Sequence, residues 1–218
     1  MTTSPTFRNL APHKQERILD EALSEFADKG YARASLNVLV SRLGISKGSI
    51  FQYFHDKSGL FSQVFDFAVG RVKGHLRQVR EATHGQDVFR RLELSLLAGL
   101  ELIQANPRLF KLYLKIVFEG DVPFRGRLLQ SIRLFSRDYI LDLLGEAQEA
   151  GQLRPSLDLD LAAFVVDAVL ERFLVASSLE HLDPELGLYG ASPEQTRARA
   201  AQLVELLRLG LGAAKGPA

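Results

Sequence analysis

Residues 35–54 read SLNVLVSRLGISKGSIFQYF. Ser35 is suited to cap a short helix whose apolar residues, Leu36, Leu39, Val40 and Leu43, recur at helical spacing. Gly44 supplies the left-handed backbone that stops it, Ile45 is an apolar plug, and Ser46 opens a second helix running to about Phe54. Two short helices joined so tightly predict a helix-turn-helix. The second helix has a small polar face, Lys47, Gly48, Ser49 and Gln52. Opposite it, Ile50 and Phe54 can anchor to Ile18, Leu23 and Phe26 of a preceding helix, with Phe51 and Tyr53 between the faces. Small side chains at a helix N-terminus let the backbone approach phosphates or base edges. Gln can pair with adenine, and Ser or Lys with several partners. A capped helical hairpin that binds nothing satisfies the same spacing, so the turn alone leaves DNA binding open.

Outward from this stretch, helical periodicity runs nearly throughout, with no convincing strand and no internal repeat. Residues 12–30 form one helix, with Pro12 at its first turn and Gly30 at its end. His55-Asp56-Lys57-Ser58 is a tight link into a long helix over about 58–80. Stretches 87–105, 107–118, 123–150, 160–182 and 193–211 follow, each ending at a Gly or Pro break. Residues 183–192 read as a loop, and residues 213–218 as a frayed end. The expected fold is all-α, with about nine helices.

Composition bounds the chemistry. The chain has 218 residues, 46% hydrophobic and 24% charged, which fits globular helical packing. It has no cysteine, which excludes disulfides, zinc fingers, thiol nucleophiles and iron–sulfur clusters. A net charge of +1 excludes a strongly basic coat, yet the charge is uneven. Residues 1–80 hold 12 Lys+Arg and 7 Asp+Glu, against 15 and 19 in the remainder. A basic first third points to a polyanion at that end. Residues 1–11 lack the pattern of a signal peptide, and the apolar run 161–176 is too short to span a bilayer, so a cytoplasmic protein with no membrane partner is expected. His13, His55, His75, His84 and His181 are scattered without metal-ligand spacing. No glycine loop is suited to a nucleotide phosphate. Asp142 and Glu146 read as a solvated face, whereas Asp167 and Glu171 sit in an apolar helix, with Arg172 able to neutralise one of them. No catalytic group, metal or cofactor is expected.

A wider set of residues sharpens this. RILDEA at 17–22, Phe26, Gly30-Tyr31, Ser35-Leu36, LGISKGSIFQYF at 43–54, Lys57 and Leu60 together resemble the TetR family of bacterial transcriptional regulators. The resemblance covers about residues 12–62, and EAGQLRP at 149–155 is a weaker phrase of the same kind. It implies an N-terminal three-helix DNA-binding domain over 1–57, with the helix-turn-helix at about 35–54. An effector-binding and dimerisation domain would cover 58–218. Lys47, Gly48 and Ser49 would open the recognition helix after Ser46, Gln52 and Tyr53 would face DNA, and Ser35 and Lys57 would meet phosphates. Three departures stand out. Phe51 replaces the usual Tyr, Val40 the usual Ala, and Ser58-Gly59 an acidic residue, leaving that helix start less well capped.

The implied protein is a dimer, most simply a repressor, that binds a palindromic double-stranded operator and is released by a small apolar or aromatic effector. Helix 160–182 is apolar almost all round, so it is buried on two sides. With the last helix it implies a dimer interface through Phe164, Ala168, Phe173, Leu203 and Leu207. The implied pocket draws on Phe110, Tyr113, Val117, Phe135 and Tyr139, with Asp167 and Glu171 as polar groups. Arg8 and Lys14 belong to an N-terminal arm that could reach the DNA backbone or a minor groove, although a solvated tail is the expectation. The competing reading is an all-α small-molecule-binding or enzymatic protein that has lost operator binding.

Overall fold

The structure, a computed structural model, describes residues 4–213. Most of the frayed end expected at residues 213–218 therefore lies outside the described residues. The fold is all-α. In chain order the helices are α1 (Pro5–Arg8), α2 (Pro12–Arg33), α3 (Leu36–Leu43), α4 (Lys47–Phe54) and α5 (Lys57–Ala82), then α6 (Val88–Ala105), α7 (Pro107–Phe118), α8 (Arg125–Glu149), α9 (Leu159–Ser178) and α10 (Pro193–Leu211). A 3-10 turn, Pro184–Leu186, lies in the loop before α10. Among the described residues the nearest thing to a strand is an isolated antiparallel bridge between Leu153 and Gly212.

The helix starts follow local chemistry. Ser35 and Ser46 accept from the backbone N–H groups of Val38 and Ser49, and Asp158 accepts from those of Asp160 and Leu161. Ser192 and Gln195 form a reciprocal capping box ahead of α10. Gly44 ends α3 at φ 67°, a left-handed conformation that a side chain opposes. Two helix ends differ from the sequence reading by three or more residues. Helix α2 does not stop at Gly30 but breaks there, at φ 73° and ψ 166°, and resumes to Arg33. Helix α9 ends at Ser178, where the chain turns toward the 3-10 segment, and not at Leu182.

The chain packs as two compact units. The first takes the residues up to Gly74 together with Ile103–Ile132, and the second takes His75–Leu102 with the residues from Arg133 onward. The cut expected at residue 57 falls inside the first unit. There, Ile18, Leu23, Phe26, Leu39, Leu43, Ile50 and Phe54 share one buried cluster with Leu60, Phe61, Leu109, Leu112 and Ile116. Each such side chain, fully buried, contributes about 1.5–3 kcal/mol. Helix α2 packs on α7 in this unit. The second unit has two clusters. One joins Phe89, Leu92, Leu143, Leu144, Val166 and Val204, and the other joins Leu96, Leu100, Phe173 and Ala200.

Candidate nucleic-acid interface

Helix α4 is fixed from below. Ile50 and Phe54 are 0% and 2% exposed, which orients the helix in the core of the first unit. Lys47, Gly48, Phe51 and Gln52 are left exposed to solvent. Ser46 caps the helix as its position predicts, and Ser49 joins it. Ser46 Oγ accepts from Ser49 N at 3.1 Å and lies 2.9 Å from Ser49 Oγ. Ser46 and Ser49 thus hold the first turn together, while Lys47 and Gln52 project outward. Tyr53 is half-buried, its ring 5.7 Å from Phe7 and 6.0 Å from Phe54.

The N-terminal arm is not the solvated tail expected. Phe7 is buried, with its ring 4.7 Å from that of Phe54, and Ser4 N donates to Tyr53 O at 3.1 Å. An aromatic anchor one turn into the chain outweighs the tendency of termini to fray. Arg8 and Lys14 remain exposed.

The support beneath the interface was hidden in the sequence. Glu25 is a buried carboxylate whose Oε1 accepts from Ser35 N at 3.0 Å and whose Oε2 accepts from Arg42 Nη1 at 3.3 Å. It ties the start of α3 to α2, so Ser35 is held at both its backbone and its side chain. Lys57 Nζ donates to Ala32 O at 3.1 Å and lies 4.9 Å from the centre of the Tyr31 ring. Partial burial pulls the Lys57 ammonium below its ordinary pKa, and Glu25 opposes that shift. Lys57 therefore binds the C-terminal end of α2, with donors to spare.

The junction between α4 and α5 is tight. His55 takes φ 69°, and Asp56 Oδ1 accepts from Ser58 Oγ and Gly59 N, each at 2.7 Å. These bonds, first from Ser58 and then from Gly59, hold the Asp56 carboxyl below its usual range. The start of α5 is thus well capped, contrary to the expectation drawn from Ser58-Gly59, because the cap stands one residue before the position read for it. Gly59 has no room for a side chain, since a Cβ there would lie 2.1 Å from Phe54 O.

Residues 18–64 match the family model for bacterial regulatory proteins of the tetR family. A crystal structure of a TetR family transcriptional regulator from Chloroflexus aurantiacus is 30% identical, with a TM-score of 0.69, over 97% of this chain and 99% of that one. The chain belongs to the TetR family. It is also 27% identical over 190 residues to the HTH-type transcriptional regulator AcrR of Shigella flexneri, covering 83% of this chain and 87% of that protein. A probable acrEF/envCD operon repressor of Escherichia coli K12 is 24% identical over 157 residues, 70% of each chain. The protein is thus a TetR-type transcriptional regulator with a DNA-binding helix-turn-helix.

The remaining site residues divide between the two units. Phe110, Tyr113 and Val117 lie half-buried on α7 in the first, with the Phe110 and Tyr113 rings stacked 5.6 Å apart. Phe135, Tyr139, Asp167 and Glu171 belong to the second. Asp167 and Glu171 both hold Arg133, at 3.1 and 2.7 Å, whereas Arg172, expected to neutralise one of them, pairs with Asp183. Asp142 and Glu146 are more than a solvated face. Arg80 bridges them at 2.7 and 2.6 Å, and Glu146 also holds the buried Arg91.

Of the residues expected at a dimer interface, Phe173 and Leu207 are buried within their own chain and Leu203 half-buried, so the first two offer no surface to a second copy. Phe164 and Ala168 are exposed, as are Leu161, Val165, Leu206 and Leu209. The helical repeat carried Phe173 and Leu207 onto the inner face of the apolar helices. Among the described residues no group of three or more His, Cys, Asp or Glu could hold a metal ion, and no helix is long and apolar enough to cross a membrane.

Proposed function

We propose that this regulator is a ligand-responsive repressor that binds a palindromic operator as a dimer. The observation that carries the DNA-binding part is the outward face of α4. Lys47, Gly48 and Gln52 are exposed on a helix pinned by Ile50 and Phe54. Two copies related by a two-fold axis would enter successive major grooves, with half-sites one or two helical turns apart, roughly 34 Å per turn. Gln52 and Lys47 would read base edges, and Ser35, Tyr53 and Lys57 would set register on phosphates. The relative named an operon repressor favours repression here. The exposed apolar side chains of α9 and α10, Leu161, Phe164, Val165, Leu206 and Leu209, are too extensive for scattered surface residues and favour a self-complementary interface.

The effector would be a small, mainly apolar molecule. It would act by preferring a conformation whose two reading helices no longer match the operator. A coupling of about 1–3 kcal/mol gives a 5–150-fold change in affinity. The test is selection of bound sequences from random duplexes, followed by mobility-shift titration of the selected site. A palindrome bound with a stoichiometry of two chains is expected. Enrichment of no sequence above background would overturn the reading.

A further inference from the structure

The interior of the second unit holds a guanidinium that the described residues satisfy only in part. Arg91, on α6, is 4% exposed. Its Nη1 donates to Glu146 Oε2 at 2.6 Å. Its Nε and Nη2 are buried and meet no acceptor among the described residues. These two nitrogens form one edge of the guanidinium, with N–H bonds running side by side, the fork that matches the two oxygens of a carboxylate. One turn along α6, Ser95 is also buried, and its hydroxyl lies 2.9 Å from that of Tyr139 on α8. One of the two hydroxyl hydrogens serves that bond, which leaves the other to donate.

The charges nearby are balanced. Glu146 is shared between Arg91 and Arg80, and Arg80 also holds Asp142 at 2.7 Å. Two cations thus face two anions, and no surplus of acid cancels the Arg91 edge. Burying such an edge without an acceptor is costly.

We infer that Arg91, supported by the Ser95–Tyr139 pair, receives the acid head of a carboxylate-bearing small molecule. Its apolar body packs among the hydrophobic side chains of the same unit, which include Leu92 and Leu143. A single negative charge fits better than a phosphate dianion, because Glu146 already stands on the same guanidinium. The inference rests on reading the chain as effector-responsive, and it gives that effector a chemical class, a monoanionic organic acid.

The test titrates the full chain with straight-chain carboxylates of four to twelve carbons and with phenylacetate. Each acid is matched by its amide, with an alkyl phosphate as a further arm, and melting temperature is the readout. At least one acid is expected to raise the melting temperature while its amide does not. Arg91→Lys keeps a cation beside Glu146 but lacks the fork, and should weaken that acid roughly 10- to 100-fold. Helical circular dichroism shows whether the variant folds. If it does not, Ser95→Ala replaces it, with a several-fold loss expected. Three results overturn the proposal: amides that stabilise as well as acids, a panel of acids that leaves melting unmoved, or variants that bind acid like the parent. A stronger effect of the alkyl phosphate overturns the monoanion assignment. Operator retardation by the unmodified chain, measured without acid, separates the two readings. Retardation without acid binding refutes this inference alone, and acid binding without retardation refutes the operator reading alone.

Discussion

Two glycines eleven positions apart should respond oppositely to the same methyl group. At Gly59 an added Cβ would stand 2.1 Å from Phe54 O and 3.2 Å from Phe54 C. Van der Waals contact begins near 3.4 Å, so more than 1 Å must be opened against backbone. That carbonyl cannot swing away freely, because it also accepts from Asp56 N at 2.9 Å. Alanine gains about 1 kcal/mol of helix propensity over glycine. Overpacking of this kind costs about 1–3 kcal/mol or more, and backbone yields less readily than a side chain. With the cost at the upper end of that range, a net loss of about 1–2 kcal/mol is expected for Gly59→Ala, or about 2–8 °C in melting temperature for a chain of this length. At Gly48 the added Cβ would meet only Ser46 Oγ, at 3.6 Å. Gly48→Ala should therefore melt about 1–3 °C higher than the parent, from a gain of about 0.5–1 kcal/mol. In the proposed complex its methyl would stand between the backbone and DNA, so operator affinity should fall roughly tenfold. Scanning calorimetry and a mobility-shift titration on both variants check this. A Gly59→Ala protein melting at or above the parent would refute the steric argument.

Gln52→Ala should cost about 1–3 kcal/mol at one base pair of the selected operator, whereas Lys57→Ala should weaken all duplexes alike and lower the salt slope by about one, both read by titration over a salt series. Phe164→Arg puts a charge into the exposed apolar face of α9 and should halve the mass seen by light scattering, and an unchanged mass would remove that face from the interface. Glu146 is held below the ordinary glutamate range by the hydrogen bonds of Arg91 and then of Arg80. Its contribution is therefore full above the unfolded value of about 4.3 and lost as pH falls through the folded value. Glu146→Gln should melt below the parent at pH 7, with the gap narrowing as pH falls below about 4.3, and a gap that stays constant would sink the assignment.

The reading helix was legible because its determinants are local. Ser35, Gly44 and Ser46 act within three or four residues of themselves, and Ile50 and Phe54 follow from the period of a helix. What stayed hidden depends on distant partners or on neighbours too close for a side chain. Nothing near Glu25 announces that it will hold Ser35 and Arg42, 10 and 17 positions on. Arg91 looks like an ordinary helix-surface charge until Glu146, 55 residues away, is set beside it. Phe7 was hidden because a short aromatic anchor leaves no periodicity. That Phe173 and Leu207 turn inward was not legible, because an all-apolar helix does not reveal which side meets its own chain. Gly59 was read only as an exchange of side chains, since sequence carries no measure of the distance to Phe54.

The shared core of the first unit bears on how such regulators can be recombined. A hybrid that takes only residues 1–57 from this chain would leave Ile18, Phe26 and Ile50 without Phe61, Leu109, Leu112 and Ile116, side chains with which they form one cluster. A transplant cut instead at 74, 103 and 132, carrying α7 along with the reading head, would keep that cluster whole and leave the seams inside helices. For sensor engineering, the exchangeable part is a discontinuous body rather than a leading segment.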